Sequence, residues 1–177
     1  MTAAPSSNPH GRVARLLRHR WHDQAHVHRL FPPEALQRIT QAVAASEQSH
    51  TAQLRICIEA SLPTSYVWRR LTARDRALTL FGKFRLWDTD QRNGVLLYVL
   101  LVEHAIEIVA DRGVVAHLSQ DELDGVAQGL TRAFRAGQFE QGMADAIAGL
   151  TQLLRQAFPR VAGGSLHNEL DDAPLVL

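Results

Sequence analysis

The sequence predicts an α/β chain, a three-layer α/β/α sandwich around a small mixed sheet. Three observations carry this. Val95 to Val102 is an unbroken apolar run with β-branched residues and a tyrosine, which suits a strand buried on both faces. Ala52 to Ala60 and Ala105 to Ala110 alternate, which suits flanking strands. The stretches between and around them carry apolar residues at helical spacing.

Taken in order, Met1 to Pro9 is small and polar and is expected to be disordered. Arg12 to Phe31 is expected to be a helix, with Val13, Leu16, Leu17 and Trp21 as its apolar stripe and Arg12, Arg15, Arg18, Arg20 and Arg29 making it basic. Pro32 and Pro33 end it, because a residue before proline avoids the α region. Pro33 also suits the first turn of a second helix, Glu34 to Gln48, with Leu36, Ile39 and Val43 facing inward.

The first strand, Ala52 to Ala60, turns Leu54, Ile56 and Ile58 one way and Arg55, Cys57 and Glu59 the other. Ser65 to Phe84 reads as one helix. Asp88 to Asn93 reads as a turn and Val95 to Val102 as the second strand, followed by a tight reversal at Glu103-His104 and a third strand, Ala105 to Ala110. A crossover from the first strand through a helix makes the first two strands parallel. The reversal makes the third antiparallel to the second. Val114 to His117 reads as a short extended piece. Ser119-Gln120-Asp121-Glu122 is a capping box opening a helix with Leu123, Val126, Leu130 and Phe134 on one face. Gly137 stops it, and Phe139, Met143, Ile147, Leu150 and Leu154 mark a last helix ending near Pro159. The organisation is a basic extension over residues 1–30, a domain over 31–159 and a flexible tail over 160–177.

Bulk composition narrows the function classes. Hydrophobic residues are 46% and charged residues 21% of 177, an ordinary globular balance with room for one core. A net charge of +1 gives no field that would favour nucleic acid. One cysteine, Cys57, excludes an internal disulfide and a cysteine-based zinc site. The first residues lack the apolar core of a secretory signal, and the longest apolar run is too short for a transmembrane helix. The expected location is cytoplasmic.

The candidate chemistry lies in two acidic turns. Asp88 and Asp90 precede the second strand and Asp111 follows the antiparallel third, so both turns fall on one rim of the sheet. Hard cations take several carboxylate or carbonyl oxygens. Asp88, Asp90 and Asp111 are therefore candidate ligands for calcium or magnesium, and Arg92 and Arg112 candidate partners for a phosphate or for those carboxylates. Ordinary surface turns explain the same residues without a ligand. The spacing is not that of an EF-hand, and no phosphate-binding loop, GxSxG or organic-cofactor motif is present. Glu59 and Glu103, with His104, form a second candidate at the other sheet end. His22 and His26 have the i,i+4 spacing of a metal pair, but the arginines around them would repel a cation, so that helix suits an acidic partner or anionic lipid better.

The run Asp88-Thr89 … Arg92-Asn93-Gly94-Val95-Leu96 … Glu107-Ile108-Val109-Ala110-Asp111-Arg112-Gly113 resembles the TPM domain family, known from thylakoid-lumen photosystem II repair proteins and bacterial relatives. Phe31-Pro32, Ser46-Glu47, the strand ending at Glu59, and Phe134-Arg135-Ala136-Gly137 … Gly142 extend the resemblance over residues 31–159. It implies the same α/β/α sandwich. It also implies a binding or interaction module, with divalent-cation binding in some members, membrane-associated protein partners in others, and acid phosphatase activity in a plant member. The expected function is thus a cation-dependent interaction module. A weak metal-assisted phosphatase and membrane docking by the basic helix are the alternatives.

Overall fold

The computed structural model describes Arg15, residues 24–160 and residues 172–177. The expected helix over residues 12–31 is described at Arg15 and from Gln24 onward; Arg12, Arg18, Arg20 and His22 lie outside the described residues. The described order is α1 (Gln24–Leu30), α2 (Pro33–Glu47), β1 (Gln53–Glu59), α3 (Thr64–Trp68), α4 (Ala73–Lys83), β2 (Gly94–Leu100), β3 (Ala105–Ala110), α5 (Arg112–Val115), α6 (Gln120–Arg135), α7 (Phe139–Ala157) and β4 (Leu175–Val176).

One four-stranded sheet runs β3-β2-β1-β4. β1 and β2 are parallel with Gln53 opposite Gly94, and β2 and β3 are antiparallel with Val95 opposite Ala110. β2 is buried along its whole length, as its unbroken apolar sequence requires. One sheet face carries Leu54, Ile56, Ile58, Val95, Leu97, Val99 and Ile108 into the larger core, beneath α1, α2, α6 and α7. Phe31, Phe134 and Phe139 close that core, with ring centroids 6.1, 6.3 and 4.9 Å apart. Such aromatic pairs contribute about 0.5–1.5 kcal/mol each beyond their buried area. The other face carries Cys57, Leu96, Tyr98, Leu100 and Val109 beneath α3 and α4. On the outside of that layer Trp68 and Trp87 are 73% and 53% exposed. The result is the three-layer sandwich expected.

Four details differ from expectation. The single helix over residues 65–84 is two. Arg70 takes a positive φ of 60°, and Thr72 opens α4 with a capping box: its hydroxyl accepts from Asp75 N–H, and its own N–H donates to Asp75. The reversal after β2 is longer than two residues, because Leu100 opposite Ala105 is the last pair of the ladder. The residues from Val114 are helical, since Asp111 caps a short turn there. Finally, residues 172–177, expected as loose tail, supply β4 parallel to β1, with Cys57 opposite Leu175.

Candidate functional site

The rim at the start of β2 is built from the two turns singled out in the sequence. Antiparallel pairing continues past the ladder: Asp111 N–H donates to Gly94 O at 2.9 Å, and Gly113 N–H donates to Arg92 O at 2.9 Å. The chains are so close there that a Cβ at Gly113 would lie 2.5 Å from Gln91 O and 2.6 Å from Arg92 O, both backbone atoms that cannot swing aside. The 88–93 turn is held from within. Asn93 N–H donates to Thr89 Oγ1 at 3.0 Å, and Asn93 Nδ2 donates to Thr51 O at 2.9 Å. Thr89 and Asn93 are accordingly buried. Arg92 sits at φ 51°, the left-handed region, which makes room for the turn.

Both turns therefore share a rim, but their carboxylates differ. Asp88 and Asp90 are exposed, and Asp88 faces Arg85 at 4.0 Å. Asp111 is buried, 9% exposed, and one of its oxygens caps α5 by accepting from Arg112 N–H at 2.7 Å. Its Oδ2 is buried and meets no donor. Such an orphaned oxygen suits a hard-cation ligand. Arg92 and Arg112 are exposed. Among the described residues no group of three or more His, Cys, Asp or Glu side chains is gathered closely enough to hold a metal ion.

The second candidate is spread over two separate pairings. Glu59 is 2% exposed and bound on both oxygens. Arg76 donates to it through Nε at 3.0 Å and Nη2 at 2.8 Å, and Tyr98 Oη donates at 2.6 Å. Burial works to lower the Arg76 pKa, but Glu59 outweighs it and the net shift is upward; burial and then Glu59 push the Tyr98 phenol up. The guanidinium also lies over the Tyr66 ring, 5.2 Å from its centre. Glu103 instead takes Arg15 at 2.7 Å, whose Nη2 also donates to Leu71 O at 2.9 Å. These glutamates are ion-pair partners.

Two polar clusters escaped the sequence reading. Ser46, His50 and Thr151 bridge α2, the start of β1 and α7. Ser46 Oγ lies 2.9 Å from His50 Nε2, His50 Nδ1 donates to Ala52 O at 3.0 Å, and Thr151 Oγ1 lies 2.7 Å from Ser46 Oγ. Burial pulls the His50 pKa down to about 4, so the imidazole is neutral at pH 7. A serine bonded to a neutral histidine has the form of a nucleophile and its base. Ser46, however, is buried inside α2 and its hydroxyl is already shared between His50 and Thr151. The arrangement is a packing bridge. The second cluster is Glu47, buried against the edge of β1, with Leu54 N–H donating to its Oε1 at 2.8 Å. Cys57 is buried, and its thiol is pushed up to about 12 by burial, which makes it inert.

The model of the TPM domain matches residues 23–153, most of the chain and all the elements from α1 to α6. The chain belongs to the TPM domain family. Among solved structures, this TPM domain is similar to the BA42 protein of the psychrophilic bacterium Bizionia argentinensis, determined by NMR. Identity is 24%, the TM-score is 0.71, and the match covers 81% of this chain and 92% of that one. It is also similar to the N-terminal domain of a protein from P. gingivalis, at 16% identity and a TM-score of 0.59, over 73% and 79% of the two chains. These likenesses fix the fold. No curated protein matches the chain. Arg15 and β4 both lie outside the span matched by the family. No described helix is long and apolar enough to cross a membrane.

Proposed function

We propose that this TPM domain is an interaction module whose acidic rim binds a hard divalent cation, calcium or magnesium, and in doing so presents a surface to a protein partner. The observation that supports the reading is Asp111 Oδ2, a buried carboxylate oxygen without a donor, on the same rim as the Asp88–Asp90 turn. A cation there would neutralise Asp111 and stiffen the junction between the 88–93 turn and α5. The cytoplasm is the proposed setting, and a membrane-associated protein is the proposed class of partner. Phosphatase chemistry is the alternative, with one of the rim carboxylates as nucleophile or general base.

The test is a calcium and a magnesium titration followed by amide shifts. Saturable shifts at residues 88–94 and 111–113 are expected, with a rise in melting temperature as the ion binds the folded state. Asp111→Asn keeps a capping side chain for α5 but removes the charge, and should abolish both responses. Shifts absent from the rim would overturn the reading. Metal-dependent phosphomonoester turnover lost in Asp111→Asn would replace the module by a hydrolase.

A further inference from the structure

Charge is sorted across the sandwich. Residues 64–87, which carry α3 and α4 over one sheet face, hold five arginines and one lysine against a single acid, Asp75. Residues 120–157, which carry α6 and α7 over the other face, hold five acids against three arginines. The net charge of +1 conceals this separation. Within the basic layer several charges are already used. Asp75 closes the α4 capping box, Arg76 binds Glu59, and Arg74 reaches Glu107 at 3.5 Å and Ile108 O at 2.6 Å. The remaining cations are not. Arg69, Arg70 and Lys83 are exposed and make no ion pair among the described residues, and Arg85 meets Asp88 only at 4.0 Å.

The same layer holds three of the four large apolar side chains exposed among the described residues: Trp68, Leu78 and Trp87. Leu78 stands half in water midway along α4, and Gly82, one turn on, has open space where a Cβ would be. Trp68 and Trp87 lie beyond the two ends of α4, whose 11 residues span about 16 Å. Tyr66 Oη donates to Thr79 Oγ1 at 2.9 Å, which ties α3 to α4.

We propose that the water-facing surface of residues 64–87 docks on anionic lipid headgroups, with Trp68, Leu78 and Trp87 entering the interface and Arg69, Arg70 and Lys83 meeting the headgroup charges. This uses none of the carboxylates of the acidic rim and needs no metal. The pattern selects a lipid surface over a protein. A protein interface gathers its apolar anchors at the centre and depletes charge there. Here the apolar side chains are spread along the layer with cations between them, as on helices that lie in a membrane interface. Indole rings are at home at headgroup depth. Leu78 is stabilised by transfer to the acyl boundary, whereas a soluble polyanion would leave it in water. Each cation near an anionic leaflet raises partitioning about fivefold. The acidic layer on the opposite face is repelled by the same leaflet, which orients the molecule with α3 and α4 toward it.

Flotation of the full chain with vesicles in EDTA tests the surface apart from any cation at the rim. Phosphatidylcholine vesicles with about 30% phosphatidylserine should carry the protein, and pure phosphatidylcholine should not. Arg69→Gln combined with Lys83→Gln should lower the partition coefficient about 25-fold. Trp68→Ala and Leu78→Ser should each lower it about tenfold. Arg135→Gln, an exposed change on the acidic layer, should leave it unaltered. The substituted side chains are all exposed, so melting temperatures should match the wild type. No flotation with the anionic vesicles, unchanged flotation in the α3–α4 variants, or an equal loss in Arg135→Gln would overturn the proposal. Displacement from the vesicles by polyglutamate or by an oligonucleotide at equal charge would overturn it too, in favour of an acidic protein or a nucleic acid. Vesicle binding is read without metal, so its failure leaves the rim titration standing, and failure of that titration leaves the vesicle result standing.

Discussion

Each end of β1 buries a glutamate, and the two are handled in opposite ways. At the end of the strand Glu59 is wrapped by Arg76 and Tyr98, so every oxygen is used. At the start Glu47 receives one backbone N–H and burial pushes its carboxyl up to about 8, so at neutral pH it carries a proton. A buried carboxyl group needs either a cation or a proton. The first solution is an ion pair closed by a phenol, and the second is a carboxyl group held up by burial.

The sharpest way to break this contrast is to remove the cation. Arg76→Met leaves Glu59 buried and unpaired, and should cost about 3–5 kcal/mol in urea denaturation. Adding Glu59→Leu should recover much of that loss, because the stranded charge rather than the lost pair is the penalty. Tyr98→Phe keeps the ion pair and deletes one hydrogen bond to a charged group, with an expected loss of about 2 kcal/mol by the same measurement. At the other end the sign reverses. Glu47 has a folded-state value of about 8 against 4.5, so its contribution is complete below the lower value and is lost as pH rises through the upper. Glu47→Gln should thus match the wild type near pH 5 and exceed it by about 1–2 kcal/mol near pH 8, allowing for partial solvation. A variant less stable than the wild type at both values would put the two glutamates in the same class.

The layered fold was legible because local signals agreed with it. The apolar run of β2, the alternation of β1 and β3, and the capping box at Ser119 each have a cause within about ten residues of sequence. The break between α3 and α4 was also written there, as Thr72 and Asp75, but apolar residues at helical spacing on both sides masked it. β4 is too short for a periodicity to mark it, although Leu175, Val176 and Leu177 are apolar, and it pairs because β1 offers an edge. For the rim, topology alone placed Asp88, Asp90 and Asp111 together, whereas the burial of Asp111 and the exposure of the other two depend on the α5 cap. The Glu59 cluster joins residues 17 and 39 positions apart, and the Ser46–Thr151 contact spans 105. Distances of that kind follow from the finished fold and not from any local pattern.

Trp68 and Trp87 stand largely in water, 73% and 53% exposed, while the fully buried ring of the inner layer is a tyrosine, Tyr98. Those two indoles already sense an aqueous dipolar environment in the native state. Their emission changes little when the chain opens, and it responds instead to anything that settles on the surface around them. The third indole, Trp21, lies outside the described residues, so Trp21→Phe leaves the two surface indoles as a gauge of contact, with circular dichroism as the gauge of folding.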